Sequence, residues 1–201
     1  MPTAFFITHP EVSVDPATPV PAWRLSDRGV IRMRAFAGCA VLSGLTSIWS
    51  SSEAKAIEAA GLLAAGFGLP VQVDEQLGEN DRSATGFLPP VDFERVADAF
   101  FANPHESVCG WERALDAQDR VARAVFRILA THHDGDIAFV SHGGVGTLLL
   151  CKLLNAPVSR SRDQPFQGHF FAFCLPGCKI IHEWQPIAER LTSTFPCRIG
   201  P

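Results

Sequence analysis

The chain reads as a three-layer α/β fold, a mostly parallel central sheet with helices on both faces, and three observations predict it. Short apolar runs alternate with segments of helical periodicity along most of the length. Two of those runs, Ala4 to Thr8 and Ile137 to Val140, have the apolar, β-prone character of buried strands. Each runs into a polar turn that carries a histidine, His9 and His142, and the carboxyl ends of strands are where open α/β sheets bind ligands. With 201 residues, 47% of them hydrophobic, the chain can fill one sizeable core, and residues 1–201 are taken as a single domain.

The elements follow in order. The strand Ala4 to Thr8 meets His9-Pro10, and Glu11 to Trp23 then turns rich in Pro, Asp and Ser. Pro10, Pro16, Pro19 and Pro21 forbid a regular helix there, which makes the stretch an ordered loop or lid. Ser26 caps a helix running to about Gly38, with Val30, Met33 and Ala37 on one face. Ser47 to Ser50 is a short strand, and the alanine-rich segment after it is a helix stopped by Gly66 and Gly68. Leu69 to Val73 is the next strand. A polar loop too long for a plain connector follows, with Glu79 and Arg82 as its chemical candidates. Helices are expected over Val91 to Ala102 and Trp111 to His133. The second sets Trp111, Leu115, Gln118, Ala122, Val125 and Leu129 on one face and turns Arg113, Arg120, Arg123 and Arg127 to solvent. After the strand at Ile137 and the helix from Gly143 to Leu154, Arg160 to Gln167 is a polar loop. Phe170 to Cys174 and Lys179 to Trp184 form a hairpin around Pro176-Gly177, with His169 and His182 as packed or edge residues. The tail from Ile187 carries no interpretable motif.

Composition narrows the function. A net charge of −4 argues against a general nucleic-acid or polybasic membrane binder and leaves a small molecule as the expected partner, with a homo-oligomer compatible. The amino terminus lacks the basic region and cleavage site of a signal peptide, and no apolar run approaches the ~20 residues of a membrane span, so a cytoplasmic location is expected. The six cysteines form no CxxC pair and no zinc spacing. Cys174 and Cys178 flank a turn, but a reducing compartment makes a lasting bridge unexpected.

The stretch from Asp136 to Leu150 organises the chemistry. Gly143 and Gly144 let the backbone bend and come close to a ligand, and the helix they open aims free N–H groups and its positive dipole end at the same place, an anion site beside His142. Lys55 falls in the first turn of its helix, where the dipole disfavours a cation, so an anion beside it would account for its placement.

Four segments in this order resemble the histidine phosphatase superfamily, also called phosphoglycerate mutase-like, from about Phe5 to Phe173. Ile7-Thr8-His9-Pro10-Glu11 occupies the place of its Arg-His-Gly motif, and Ser50-Ser51-Ser52-Glu53-Ala54-Lys55-Ala56 that of its Ser-Ser-x-x-x-Arg-Ala clamp. Leu77-Gly78-Glu79 stands for its Leu-x-Glu loop and Ser141-His142-Gly143-Gly144-Val145 for its Ser/Thr-His-Gly-Gly turn. The resemblance implies a metal-independent phosphomonoester hydrolase without cofactor, taking a small phosphorylated substrate or inorganic phosphate. His9 would be the nucleophile that becomes phosphohistidine, Glu79 the acid and base, and protonated His142, Lys55 and nearby N–H groups the transition-state clamp.

The departures all weaken the grip on phosphate. Thr8 replaces an arginine fork by one hydroxyl, Pro10 has no N–H, Lys55 keeps charge without the fork, and Asp15 falls where many members carry an asparagine touching the phosphate. A missing donor in a dry site costs roughly 2–4 kcal/mol. Arg82 is the expected compensating cation, ahead of Arg32 and Arg34. Two alternatives stand beside the hydrolase: a non-catalytic relative that binds an anionic ligand or protein partner, and a metal site built from His9, His142, Asp15 and Glu79.

Overall fold

Two strands form the centre of the molecule because they are apolar on both faces and find cover on both: Thr3–Thr8 (β1) and Asp136–Ser141 (β4), buried along all but their first residue. The computed structural model describes residues 1–188. Around these two lie the strands Leu45–Ser50 (β2), Val71–Val73 (β3), His169–Cys174 (β5) and Ile180–Pro186 (β6). The helices are Asp27–Ala37 (α1), Ala54–Ala65 (α2), Pro90–Ala102 (α3), Ala114–Leu129 (α4) and Gly143–Leu153 (α5). The sheet order is β3-β2-β4-β1-β5-β6. Its first four strands are parallel, and the hairpin β5–β6 adds to β1 in the opposite sense.

Strand periodicity divides the core into two layers. Ala4 and Phe6 of β1, with Ile137 and Phe139 of β4, pack under Val121 and Val125 of α4 and Leu148 and Leu149 of α5. Phe5 and Ile7, with Ala138 and Val140, pack on the other face against Met33 and Phe36 of α1 and Ala59, Ala60 and Leu63 of α2. The expected three-layer α/β architecture is the one observed. No helix among the described residues is long and apolar enough to cross a membrane.

The register sets the site. Thr8 lies opposite Ser141 in the β1–β4 ladder, and the His9 N–H continues it by donating to the Ser141 carbonyl at 3.0 Å. The residues just past the two strand ends, His9 and His142, are therefore neighbours.

Several local expectations shift. The Ser26 hydroxyl does cap α1, accepting from the Gly29 N–H at 3.2 Å. Gly29 admits no side chain, since a Cβ there would lie 2.2 Å from the Glu11 carbonyl oxygen. The helix expected from Trp111 begins only at Ala114 and ends at Leu129, and its buried face is rotated. Ala114, Ala117, Gln118, Val121, Ala122, Val125 and Ile128 are inside, whereas Leu115 and Leu129 are half-buried. Rotation by that much takes Arg120 out of solvent. The strand expected over Leu69 to Val73 is only three residues long. The cysteines among the described residues are free, Cys174 and Cys178 included. Cys197 and most of the tail from Ile187 lie outside the described residues.

Arg32 is one of the largest fully buried side chains. It pairs with Glu11 at 2.9 Å and donates to the carbonyls of Gln167 (2.9 Å), Gly168 (3.1 Å) and Ala188 (3.0 Å). It fastens the loop after His9 to the start of β5 and is committed to protein partners, while Arg34 is exposed on the far side of α1.

Candidate functional site

The two histidine rings stand edge to face with centroids 5.2 Å apart, although they lie 133 positions apart in sequence. Both are buried. The His9 Nδ1 lies 2.9 Å from the Pro10 carbonyl oxygen, which can only accept, so Nδ1 carries the proton and Nε2 keeps its lone pair. Pro10 thus fixes the tautomer even though it has no N–H to offer. Burial, His142 and Lys55 together push the His9 pKa down to about 3, which leaves the ring neutral. The His142 Nε2 lies 2.7 Å from the Ser51 hydroxyl and 3.3 Å from Glu53 Oε1, and its Nδ1 is buried without a partner. Burial lowers its pKa against the opposing pull of Glu53 and Glu79, so His142 rests below the ordinary histidine range.

Glu79 reaches this centre as the cap of α5. Its carboxylate accepts from the N–H groups of Gly144 (3.1 Å) and Val145 (3.0 Å), from Asn80 N–H (3.1 Å) and from the Arg82 guanidinium (2.8 Å). Burial would raise its pKa, but Arg82 and His142 outweigh that and hold it below the usual carboxylate range. The two glycines have separate reasons. A Cβ on Gly144 would stand 2.7 Å from Glu79 Oε1, and one on Gly143 would stand 2.4 Å from the Gln164 side-chain nitrogen. Each therefore makes room for a polar group that reaches the start of α5.

The loop that carries Glu79 is held by Arg120. Its guanidinium donates to the carbonyls of Gln76 (2.9 Å), Gly78 (3.0 Å) and Glu79 (3.1 Å) and forms a two-point pair with Glu112 at 3.0 and 2.8 Å. The sequence reading turned this arginine to solvent. Helical periodicity gave no signal for it, because the three carbonyls it holds lie in a loop more than 40 positions away.

Glu53 is the other residue not singled out from sequence. It precedes α2 and forms an ion pair with Lys55, accepts from the Glu79 N–H at 3.1 Å, and faces His142. Burial opposes its ionisation, but His142 and Lys55 pull its pKa down to about 2. Lys55 is buried, and its second bond is to the Val20 carbonyl at 3.0 Å. The anion beside Lys55 is thus a residue of the same chain. The signal was present in the Glu-x-Lys spacing.

The remaining candidates separate. Thr8 is buried, accepting from the His169 N–H at 3.0 Å and donating to Gln164 Oε1 at 2.7 Å. Arg82 is paired with Glu79 and lies over the rings of Phe93 and Trp111. Asp15 is exposed, and its carboxylate accepts from Ala17 N–H (3.0 Å) and Thr18 Oγ1 (2.6 Å) within its own loop. With Asp15 turned away, the four-residue metal reading is not assembled. No cluster of three or more His, Cys, Asp or Glu side chains suited to a metal occurs among the described residues. The Pro-rich loop and the Glu79 loop do meet, through Trp23 and Phe87 with ring centroids 5.6 Å apart.

Two outcomes follow. Arg120→Met leaves three carbonyls without a donor and Glu112 with only the Asp81 N–H, and should lower unfolding free energy in urea by about 3 kcal/mol, with faster amide exchange around residues 76–82. Arg120→Lys should not restore it, since one ammonium cannot span both the carbonyls and the carboxylate. The second outcome concerns pH. A histidine at about 3 when folded and 6.5 when unfolded binds its proton preferentially in the unfolded chain, so stability falls as pH drops from 6.5 towards 3. Between pH 6.5 and about pH 4.5 His9 should account for a loss on the order of 2 kcal/mol, seen as a shallower pH dependence of urea unfolding in His9→Asn.

Comparison with known proteins gives the same frame. The chain superposes on YhfR of Bacillus stearothermophilus with a TM-score of 0.75 and 21% identity, over 91% of this chain and 95% of that one. It superposes on a mycobacterial glucosyl-3-phosphoglycerate phosphatase in complex with inorganic phosphate with a TM-score of 0.74 and 20% identity, over 96% and 100%. A phosphoserine phosphatase from Entamoeba histolytica in complex with 3-phosphoglyceric acid gives 0.76 and 15%, over 96% and 100%. No curated protein sequence matches the chain. The family model of the histidine phosphatase superfamily, branch 1, matches residues 18–169, well over half of the sequence, and the chain belongs to that superfamily.

Proposed function

We propose that the protein is a phosphomonoester hydrolase that acts through a phosphohistidine on His9. The observation that carries this reading is the neutral His9 ring, its proton held on Nδ1 by Pro10, 5.2 Å from the second imidazole. The Nε2 lone pair attacks phosphorus, the N–P bond forms as the bond to the leaving oxygen breaks, and water then cleaves the N–P bond to release inorganic phosphate. Glu79, ionised at rest, suits the second step, where it takes the proton of the attacking water. In the first step the proton needed by the leaving oxygen enters with the substrate, since a phosphomonoester with a second pKa of about 6 is partly a monoanion at neutral pH. Glu79 passes that proton on. The approaching anion raises the proton affinity of His142, which takes up a proton from solvent and then faces the equatorial oxygens together with Lys55. Two of the relatives matched in fold are phosphatases, one in complex with inorganic phosphate.

A second reading, a non-catalytic relative that binds an anionic ligand or a protein partner, is favoured by one observation. Lys55 and Arg82 are already paired with Glu53 and Glu79. One experiment separates the two. Protein treated with an aryl phosphate and rapidly quenched in alkali, where an N–P bond survives, should carry one phosphoryl group by mass spectrometry, with phosphate released over time, and His9→Ala should abolish both. Phosphate that raises the melting temperature without any phosphoprotein or turnover would establish the binder instead.

A further inference from the structure

The residue at the position of the missing arginine is Thr8, and its hydroxyl does not face a ligand. It is bonded at both ends inside the protein, accepting from the His169 N–H and donating to Gln164 Oε1 at 2.7 Å. The hydroxyl has a second, longer acceptor in the His169 carbonyl at 3.2 Å, so its one proton goes to the nearer Gln164 Oε1, and that shorter bond sets the orientation of the Gln164 carboxamide. With Oε1 held as the acceptor, the NH2 group is at the other end, and this end lies against Gly143, 2.4 Å from where a Cβ would be. The carboxamide therefore spans from the residue before His9 to the residue after His142. No protein acceptor takes its NH2 group among the described residues.

Its position is fixed from behind as well. Asp163 Oδ1 accepts from the Gln164 backbone N–H at 2.8 Å and from Thr147 Oγ1 of α5 at 2.8 Å, fastening this loop to the helix that begins at the site. A donor held by packing and hydrogen bonds on its far side needs no reorganisation when an anion arrives, which is the condition under which such a group is most effective.

We propose that the Gln164 carboxamide, oriented by Thr8 and set over Gly143, is a phosphoryl-binding donor that takes the part of the absent arginine beside His9. This rests on reading the His9 and His142 pair as a phosphoryl site. The substitution is one of kind as well as position: a neutral two-hydrogen donor replaces a cationic fork, so the grip is directional and adds no charge to a pocket whose cations are already balanced. Thr8 acts through Gln164 as a positioning residue.

The test is binding of inorganic phosphate by calorimetry and turnover of an aryl phosphate, each with wild type, Gln164→Leu, Gln164→Glu and Thr8→Val, and with unliganded melting temperatures as the check on folding. Gln164→Leu should weaken phosphate binding about tenfold, the size of one lost hydrogen bond, and Gln164→Glu more than that, because the same shape then presents a carboxylate. Thr8→Val should match Gln164→Leu, and the double variant should lose no more than either alone. The unliganded melting temperatures of the two Gln164 variants should stay close to wild type. Should Gln164→Leu destabilise the fold, Gln164→Glu at retained shape decides alone. Phosphate binding that depends on Gln164 without turnover upholds this inference and removes the hydrolase. Turnover with Gln164→Leu and Gln164→Glu equal to wild type removes this inference and leaves the hydrolase. A wild type that does not bind phosphate overturns both.

Discussion

The pairing of Thr8 with Ser141 across two parallel strands is the constraint on which the site depends. Once β1 and β4 lie side by side in that register, the next residue of each is a histidine, and neither can leave without breaking a buried ladder. The apolar faces of Phe5, Phe6, Ile7, Phe139 and Val140 enforce the register, since a slip by one position would turn each of them towards the wrong layer. The site is therefore held by the most deeply buried part of the molecule, while the groups that surround it come from loops.

Those loops bring charges in pairs. Lys55 arrives with Glu53 and Arg82 with Glu79, and the start of α5, a natural place for an external anion, is capped by Glu79. A phosphate entering this centre must compete with resident carboxylates. Two unit charges about 4 Å apart interact by roughly 4 kcal/mol in surroundings of intermediate polarity, so removing one carboxylate from a cation is a sizeable step. A dianion offers these cations a second charge. The same pairing explains why two buried histidines and a buried lysine coexist without a net excess of positive charge.

Much of this arrangement was legible in the sequence because it is written in local patterns. The strand-turn-helix grammar of Ile137 to Leu154 and the helix cap at Ser26 follow from residue type and spacing alone. The order of the four motif segments pointed to the superfamily that the family model matches. What could not be read is what the fold brings together from a distance. Arg120 looked like one of four solvent-facing arginines, and its partners lie in a loop with no period to align against. Arg32 looked like a candidate for phosphate and instead closes the loop after His9. Asp15 sits at the right count of residues in a loop whose path only the fold determines, and it points outward. Gln164 carried no motif at all, since its significance comes from Thr8 and Gly143, both remote in sequence.

The central claim is that a neutral His9 presents Nε2 to a phosphoryl group shared with His142. It is tested most directly by the crystal structure of the protein with orthovanadate, which adopts the five-coordinate geometry of phosphoryl transfer. The account predicts vanadium bonded to His9 Nε2, with Nδ1 still donating to the Pro10 carbonyl and His142 against an equatorial oxygen. Vanadate bound away from the two rings, or a His9 ring turned so that Nε2 faces the protein, would contradict it.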